Sequence, residues 1–301
     1  MKRQSGQSMK RKINIPLADL KREYAFLRDD IDKELESLFK NQKWILGPQV
    51  YRLEDRVSRY LNVKYALGVA SGTDALLLSL RAFSLKFKRK NFFDSKDEII
   101  TTPFTFIATA EAILRAGARP VFVDIDPDTF NISPQAVKRA VTKNTVGIIP
   151  VHLYGLPADM DSIMNIARKY GLFVLEDTAQ AFGAIYKGKK AGTIGTAGAF
   201  SFFPSKNLAG YGDAGLIATD DNAVYDYIKA LRNHGQKEQY KADYLGYNSR
   251  LDSFQAAILS AKLKYIDRFN RKRMQVAGCY SRAFAKIKEI KTPFVPEGAA
   301  H

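Results

Sequence analysis

Strand-like and helix-like segments alternate along most of this chain, which predicts an α/β fold with a mainly parallel sheet of seven strands flanked by helices. Three observations carry that prediction. Short apolar runs of strand length recur at 65–69, 98–102, 120–125, 145–151, 173–177, 199–203 and 216–220. Between the first five of them lie segments whose apolar residues follow helical spacing, at 73–84, 107–116, 134–142 and 159–170. No helical segment separates the last two runs, so one of those strands is expected to be antiparallel.

The remaining elements follow in order. Leu20, Phe26, Leu27, Ile31 and Leu35 give 15–39 a helical face, and Gly47-Pro48 turns the chain into a second amphipathic helix at 50–61. The basic stretch KFKRKNFFDS at 86–95 has no period and is expected to be a surface excursion. Pro134 suits the first turn of its helix, with Ser133 as the cap. From Asp252 onward, Phe254, Ile258, Leu259, Leu263, Ile266 and Phe269 describe one long helix leading out of the sheet domain. The expected division is a basic tail at 1–12, a large domain at 13–251, and at 252–301 that helix with the start of a truncated small C-terminal domain.

Composition bounds the function. With 301 residues, 46% hydrophobic and 26% charged, the chain can bury a large core. Charged residues interrupt every apolar segment, so no membrane span is expected. The basic N-terminus is not followed by the apolar core of a signal peptide, and the expected address is cytoplasmic. Cys279 is alone and there are three histidines, which leaves neither a disulfide framework nor a Cys/His metal site. The net charge of +16 comes from the tail, the 86–90 region and the 262–291 region, not from one basic stripe interleaved with aromatics. Nucleic acid is therefore not the expected partner.

Ligands of parallel sheets sit at the carboxyl ends of the strands. After the first strand, Ala70-Ser71-Gly72-Thr73-Asp74 opens a helix with small residues; it is either a plain cap or an anion cradle. Phe106, after the second strand, is a core aromatic or a cover for a planar ring. Glu176-Asp177 ends the fifth strand, where an unpaired buried carboxylate is costly; the pair is a salt bridge, a cap or a functional acid. Lys206 follows the Phe200, Phe202, Phe203 strand and Pro204. It is a solvated loop lysine, or an amine desolvated enough to act as a Schiff-base nucleophile. Gly210, Gly212 and Gly215 spell GxGxxG, but ahead of a strand, the wrong context for a dinucleotide. His152 and His234 lie near turns and are read as hydrogen-bonded structural residues. Phosphate cradle, aromatic cover, carboxylate for a ring nitrogen and nucleophilic lysine are together the requirements of pyridoxal 5'-phosphate.

At SGTDAL (71–76), PFTFIATA (103–110), EDTAQAFGA (176–184), SFFPSKNL (201–208) and NSRLDSFQAAIL (248–259), the chain resembles the DegT/DnrJ/EryC1/StrS sugar aminotransferases, of the aspartate-aminotransferase fold. The resemblance runs over about 15–264. It implies that Lys206 holds the cofactor covalently, Asp177 pairs with the pyridine nitrogen, Gln180 sits near the ring hydroxyl and Phe106 stacks on the ring. Gly72, Thr73 and Ser201 hold the phosphate, with Asn248 reaching it from the neighbouring subunit of a homodimer. Arg250 is a candidate contact to a substrate anion. Relatives with His in place of the lysine carry out sugar deoxygenation, so lysine favours amine transfer. SFFPSKNL followed by GYGDAG resembles the branch acting on 3-oxo sugars. The implied activity is transfer of an amino group from glutamate to a nucleotide-linked 3-oxo sugar, in making amino sugars for surface polysaccharide or glycosylated metabolites. The chain departs from the pattern in Ala209, where relatives carry Gly, in the longer 86–95 excursion, and in ending several dozen residues early. The alternative is a truncated, impaired or regulatory homologue that binds the cofactor.

Overall fold

The computed structural model describes residue 16 and residues 19–300 except 239. The basic tail at 1–12, the boundary at 13 and the start of the first helix at 15 lie outside the described residues. Helix α1 runs Leu20–Asn41 and α2 Pro48–Leu61, with Pro48 at the first turn, where its missing N–H costs nothing. Strands β1 (Tyr65–Val69), β2 (Glu98–Thr101), β3 (Arg119–Phe122), β4 (Thr145–Ile148) and β5 (Phe173–Asp177) alternate with α3 (Gly72–Phe83), α4 (Ala108–Arg115), α5 (Pro134–Ala140) and α6 (Met160–Tyr170). A small hairpin, β6 (Ile185–Tyr186) and β7 (Lys189–Lys190), precedes β8 (Ala197–Ser201) and β9 (Gly215–Thr219).

The seven-stranded sheet has the order β1-β9-β8-β5-β4-β2-β3. Only β9 is antiparallel to its neighbours, pairing Tyr65 with Thr219 on one side and Phe200 with Leu216 on the other. β1 therefore runs parallel to β8, and Val69, Thr101, Asp177 and Ser201 finish along one edge. Gly215 opens β9 at the same edge. β2, β5 and β9 are buried along their whole length, as strands covered on both faces must be. Helix α3 fills one face, burying Leu76, Leu77, Leu78, Leu80 and Phe83. Each fully buried side chain of that size contributes about 1.5–3 kcal/mol.

Two sequence expectations change. The long helix from 252 is two helices, α8 (Ser253–Leu263) and α9 (Ile266–Phe284). The break falls where Asp30 of α1 holds both intervening residues, accepting from Lys264 Nζ and from the Tyr265 hydroxyl at 2.6 Å each. The helical apolar period runs on through the break and so conceals it. The 86–95 excursion begins inside a π-helical turn (Ser84–Lys88) that prolongs α3, and ion pairs of Lys86 with Asp221, Lys88 with Asp97 and Lys90 with Asp94 tie it down.

A helix missing from the sequence reading, α7 (Asn222–Leu231), follows β9, with the Asp221 side chain capping Val224 N. The pair β10 (Gln236–Glu238) and β11 (Lys241–Ala242) comes next. Beyond Ile266, α9 buries none of its residues and leaves the sheet domain, and β12 (Ala299–Ala300) returns to pair with β6.

Candidate active site

The shared strand edge gathers the residues singled out above. Ser71 caps α3, accepting from Asp74 N at 3.0 Å. The N–H groups of Gly72 and Thr73 belong to the first turn, which has no intrahelical acceptors to offer them. Close packing fixes this turn against the ends of β8 and β9. A Cβ on Gly72 would lie 2.6 Å from the Ser201 Cβ, and one on Gly215 only 2.2 Å from the Ser71 carbonyl oxygen. A larger residue at either position would force the α3 N-terminus, where an anion is favoured, away from the ends of β8 and β9.

Asp177 ends β5 with its carboxylate buried. Thr109 Oγ1 donates to its Oδ2 at 2.8 Å, and Ala179 N to its Oδ1 at 3.2 Å. Burial pushes this carboxyl up from the usual carboxylate range, against the pull of those two hydrogen bonds and the charge of Lys206. Lys206, half-buried on the turn after β8, is pushed the other way. Desolvation lowers its ammonium from the usual lysine range, and the Asp177 charge opposes the shift. The Lys206 loop is closed on itself: Phe202 N donates to Ala214 O at 2.8 Å, and Phe202 O accepts from Gly210 N at 2.7 Å. Lys206 N in turn donates to Phe203 O at 2.8 Å.

Gln180 is oriented by its Oε1 accepting from Tyr154 N at 2.7 Å, which turns its amide NH2 to the other side. Phe106 is 71% exposed, free to cover a ligand instead of filling the core. The Asn248 side chain is exposed on its own chain, next to Ser249, whose hydroxyl donates to Asp74 Oδ2 at 2.8 Å. Arg250 Nη1 donates to Asn233 Oδ1 at 3.2 Å. His152 is fully buried and serves the frame: Nδ1 accepts from Ala158 N at 3.0 Å, so Nε2 carries the proton and donates to Glu176 Oε2 at 2.8 Å. His234 is exposed, in the left-handed backbone region. Gly210 and Gly212 form a turn leading into β9, not the strand-to-helix cradle of a dinucleotide site.

Sequence reasoning missed Thr109. Its signal was a hydroxyl four residues after Thr105, on one face of an otherwise apolar helix start; the two hydroxyls lie 3.1 Å apart.

Residues 26–301 match the model of the DegT/DnrJ/EryC1/StrS aminotransferase family. The chain belongs to that family. It is 47% identical to a pleiotropic regulatory protein of Geobacillus stearothermophilus, over 96% of this chain and 76% of the relative. It is 44% identical to the UDP-N-acetyl-3-dehydro-alpha-D-glucosamine 3-aminotransferase of Acidithiobacillus ferrooxidans, over 95% of this chain and 75% of the relative. The crystal structure of Streptomyces venezuelae DesV with a ketimine intermediate superimposes with a TM-score of 0.90 at 36% identity, covering 95% of this chain and 75% of that one.

Enzymes of the family work with pyridoxal phosphate, and that is the cofactor of this chain. The residues present fit it. A desolvated amine and a buried carboxyl with spare acceptor capacity attract each other across the edge, and the first turn of α3, packed closely on the end of β8 through Gly72, brings unpaired N–H groups suited to a phosphate. Beside them a cleft of about 700 Å³ opens between the sheet domain and α9, lined among others by Tyr154, Gln180, Lys190, Asn207, Arg271 and Arg273. No helix among the described residues is long and apolar enough to cross a membrane.

Proposed function

We propose that this chain transfers an amino group from glutamate to a nucleotide-linked 3-oxo sugar, working in the cytoplasm as a homodimer. The observation that carries the reading is the opposed pair at the strand edge: Asp177, whose carboxyl burial drives up, and Lys206, whose amine burial drives down. Bound pyridoxal phosphate supplies an electron sink for the carbon that loses its proton. Lys206 Nζ would hold the cofactor at its aldehyde carbon and would move the proton at the substrate carbon. Desolvation favours the neutral, nucleophilic form of that amine. Asp177 holds the proton on the ring nitrogen, and Thr109 and Ala179 keep its carboxylate in place. Gln180 donates to the ring hydroxyl and Phe106 covers the ring face. Gly72 and Thr73, through their N–H groups, and Ser201, through its hydroxyl, bind the phosphate.

The sugar reading rests on the A. ferrooxidans relative and on the SFFPSKNL and GYGDAG segments, and the cationic lining of the cleft suits a diphosphate. We assign Asn248 to the partner subunit's phosphate site and Arg250 to a substrate anion. We draw the domain division at 251–252, beyond which α8 still packs into the core of the cofactor domain and α9 leaves it. Purified protein should carry cofactor absorbance that changes on adding glutamate, and should aminate a 3-oxo nucleotide sugar in preference to its 4-oxo isomer. No spectral response to glutamate, with cofactor bound, favours the regulatory alternative; preference for the 4-oxo isomer overturns the sugar assignment. Mixing Lys206→Ala with Asn248→Ala chains tests the shared site. Activity should recover towards about a quarter of wild type on random exchange, because half the dimers then hold one intact site.

A further inference from the structure

Asn207, the residue after Lys206, is the junction of three elements. Its Nδ2 donates to the Phe182 carbonyl at 2.6 Å and to Asn270 Oδ1 at 3.2 Å, while Asn270 Nδ2 donates to the same Phe182 carbonyl at 3.2 Å. The carbonyl at the centre is rigidly set. The Phe182 ring stacks on Tyr60 and meets Phe200 and Phe202 edge-on, so it is held by the strand that delivers Lys206. Phe182 also belongs to the segment that carries Asp177 and Gln180. Asn270 belongs to α9, the helix that leaves the sheet domain. It approaches closely because residue 183 is glycine at φ +88°; a Cβ there would stand 3.0 Å from Asn270 Nδ2 and 2.6 Å from the Tyr60 hydroxyl. One turn earlier on α9, Asp267 accepts from the Tyr60 hydroxyl at 2.7 Å, a second clip that bonds neither Asn207 nor the Phe182 carbonyl, although the Tyr60 ring stacks on that of Phe182.

We propose that Asn270 is a positioning residue for Lys206, acting through Asn207 and the Phe182 carbonyl. The proposal rests on Lys206 as the cofactor-binding amine. The triangle locks the backbone at 206–207 to the segment bearing Asp177 and Gln180, and makes the aim of the Lys206 side chain depend on where α9 lies. Without Asn270, Asn207 keeps a single tie and the turn gains freedom to rotate. A small misplacement of a reacting atom is enough to slow its chemistry about tenfold or more.

The test measures how fast the cofactor-free protein captures pyridoxal phosphate, by visible absorbance, with borohydride reduction and peptide mass locating the modified residue. Asn270→Ala should slow capture about tenfold and lower kcat by a similar factor with KM little changed. Asp267→Asn weakens the charge-assisted clip on α9 and leaves the Tyr60 ring and the Asn207–Phe182–Asn270 triangle in place. It should lower the melting temperature of the cofactor-free protein at least as much as Asn270→Ala does, yet leave capture within twofold. An Asn207→Ala, Asn270→Ala double variant should be no slower than the worse single, because either change already breaks the triangle through which Asn270 acts. Capture within twofold of wild type in Asn270→Ala, equal slowing by Asp267→Asn, or additive losses in the double variant would each overturn the proposal. A wild-type adduct on a residue other than Lys206 overturns the functional reading itself, and shows before any variant is compared.

Discussion

Two carboxylates end β5 side by side, and the pleat sends them to opposite faces of the sheet. Glu176 is saturated. Its Oε1 accepts from Ile194 N and Gly195 N at 2.6 Å each, and its Oε2 from Gly192 N at 2.7 Å and His152 Nε2 at 2.8 Å. Among the described residues the Asp177 carboxylate accepts from Thr109 and Ala179 alone, and faces a lysine whose charge burial disfavours. Both side chains are buried, yet only one has capacity left. Four donors around Glu176 turn a buried charge into a fastening for the 192–195 loop, whereas the unfilled half of Asp177 is kept for a partner outside the chain. Burial of a carboxylate therefore does not by itself mark a functional group; unused acceptor capacity beside an opposite charge does.

Four substitutions test this contrast, from the largest effect to the smallest. Lys206→Ala removes the opposite charge and the nucleophile; amine transfer should fall by about 10⁴-fold or more, with no borohydride-trapped adduct. Turnover that survives the change would break the assignment of the whole edge.

Asp177→Asn should leave cofactor bound and slow turnover by about 10²–10³-fold, since the ring nitrogen loses its charged partner. Its stability effect should have the opposite sign. A carboxyl whose folded value lies above its unfolded one costs the fold stability, and the cost grows as pH rises from the unfolded value through the folded one. Without cofactor, the Asp177→Asn variant should thus melt higher than wild type at neutral pH, by about 2–4 °C per kcal/mol relieved, with the gap closing in acid. A lower melting temperature at neutral pH would show that Asp177 is fastened like Glu176.

At Glu176 the expected loss is structural. Glu176→Gln turns an NH2 towards backbone N–H donors and should cost about 2–3 kcal/mol in denaturant unfolding, with kcat of the folded fraction within about threefold of wild type. A selective loss of turnover would give Glu176 a part in the chemistry.

The smallest effect belongs to Thr109→Val. It deletes a hydrogen bond that holds the Asp177 carboxyl down, so the acid limb of the pH–rate profile should move to higher pH, with about a threefold loss or less near neutrality. A limb that stays in place would separate Thr109 from the function of Asp177.

The strand edge was legible in the sequence because each part has a local signature: small residues opening a helix after β1, an acidic pair ending β5, a lysine behind Pro204. Sequence order could not sort Glu176 from Asp177, since the donors that saturate Glu176 come from 152 and 192–195 and meet it only in the fold. Thr109 was hidden for the same reason. The missed α7 was readable, with Asp221 as cap and Val224, Ile228 and Leu231 at helical spacing. The break between α8 and α9 was not, because it depends on Asp30, over two hundred positions earlier, holding Lys264 and Tyr265. Local chemistry was visible, and fastening by distant residues was not.

The neck at Phe202 separates inheritance of the fold from choice of reaction. Both backbone groups of Phe202 are used to pinch off the segment that bears Lys206, so β8 and β9 meet at the neck without drawing on the Lys206 side chain. A residue there can be exchanged as a cassette while the sheet stays as it is. One scaffold can thus support different chemistries, because within this loop the fold is fastened by Asn207 and the buried Leu208, next door to the position that does the chemistry.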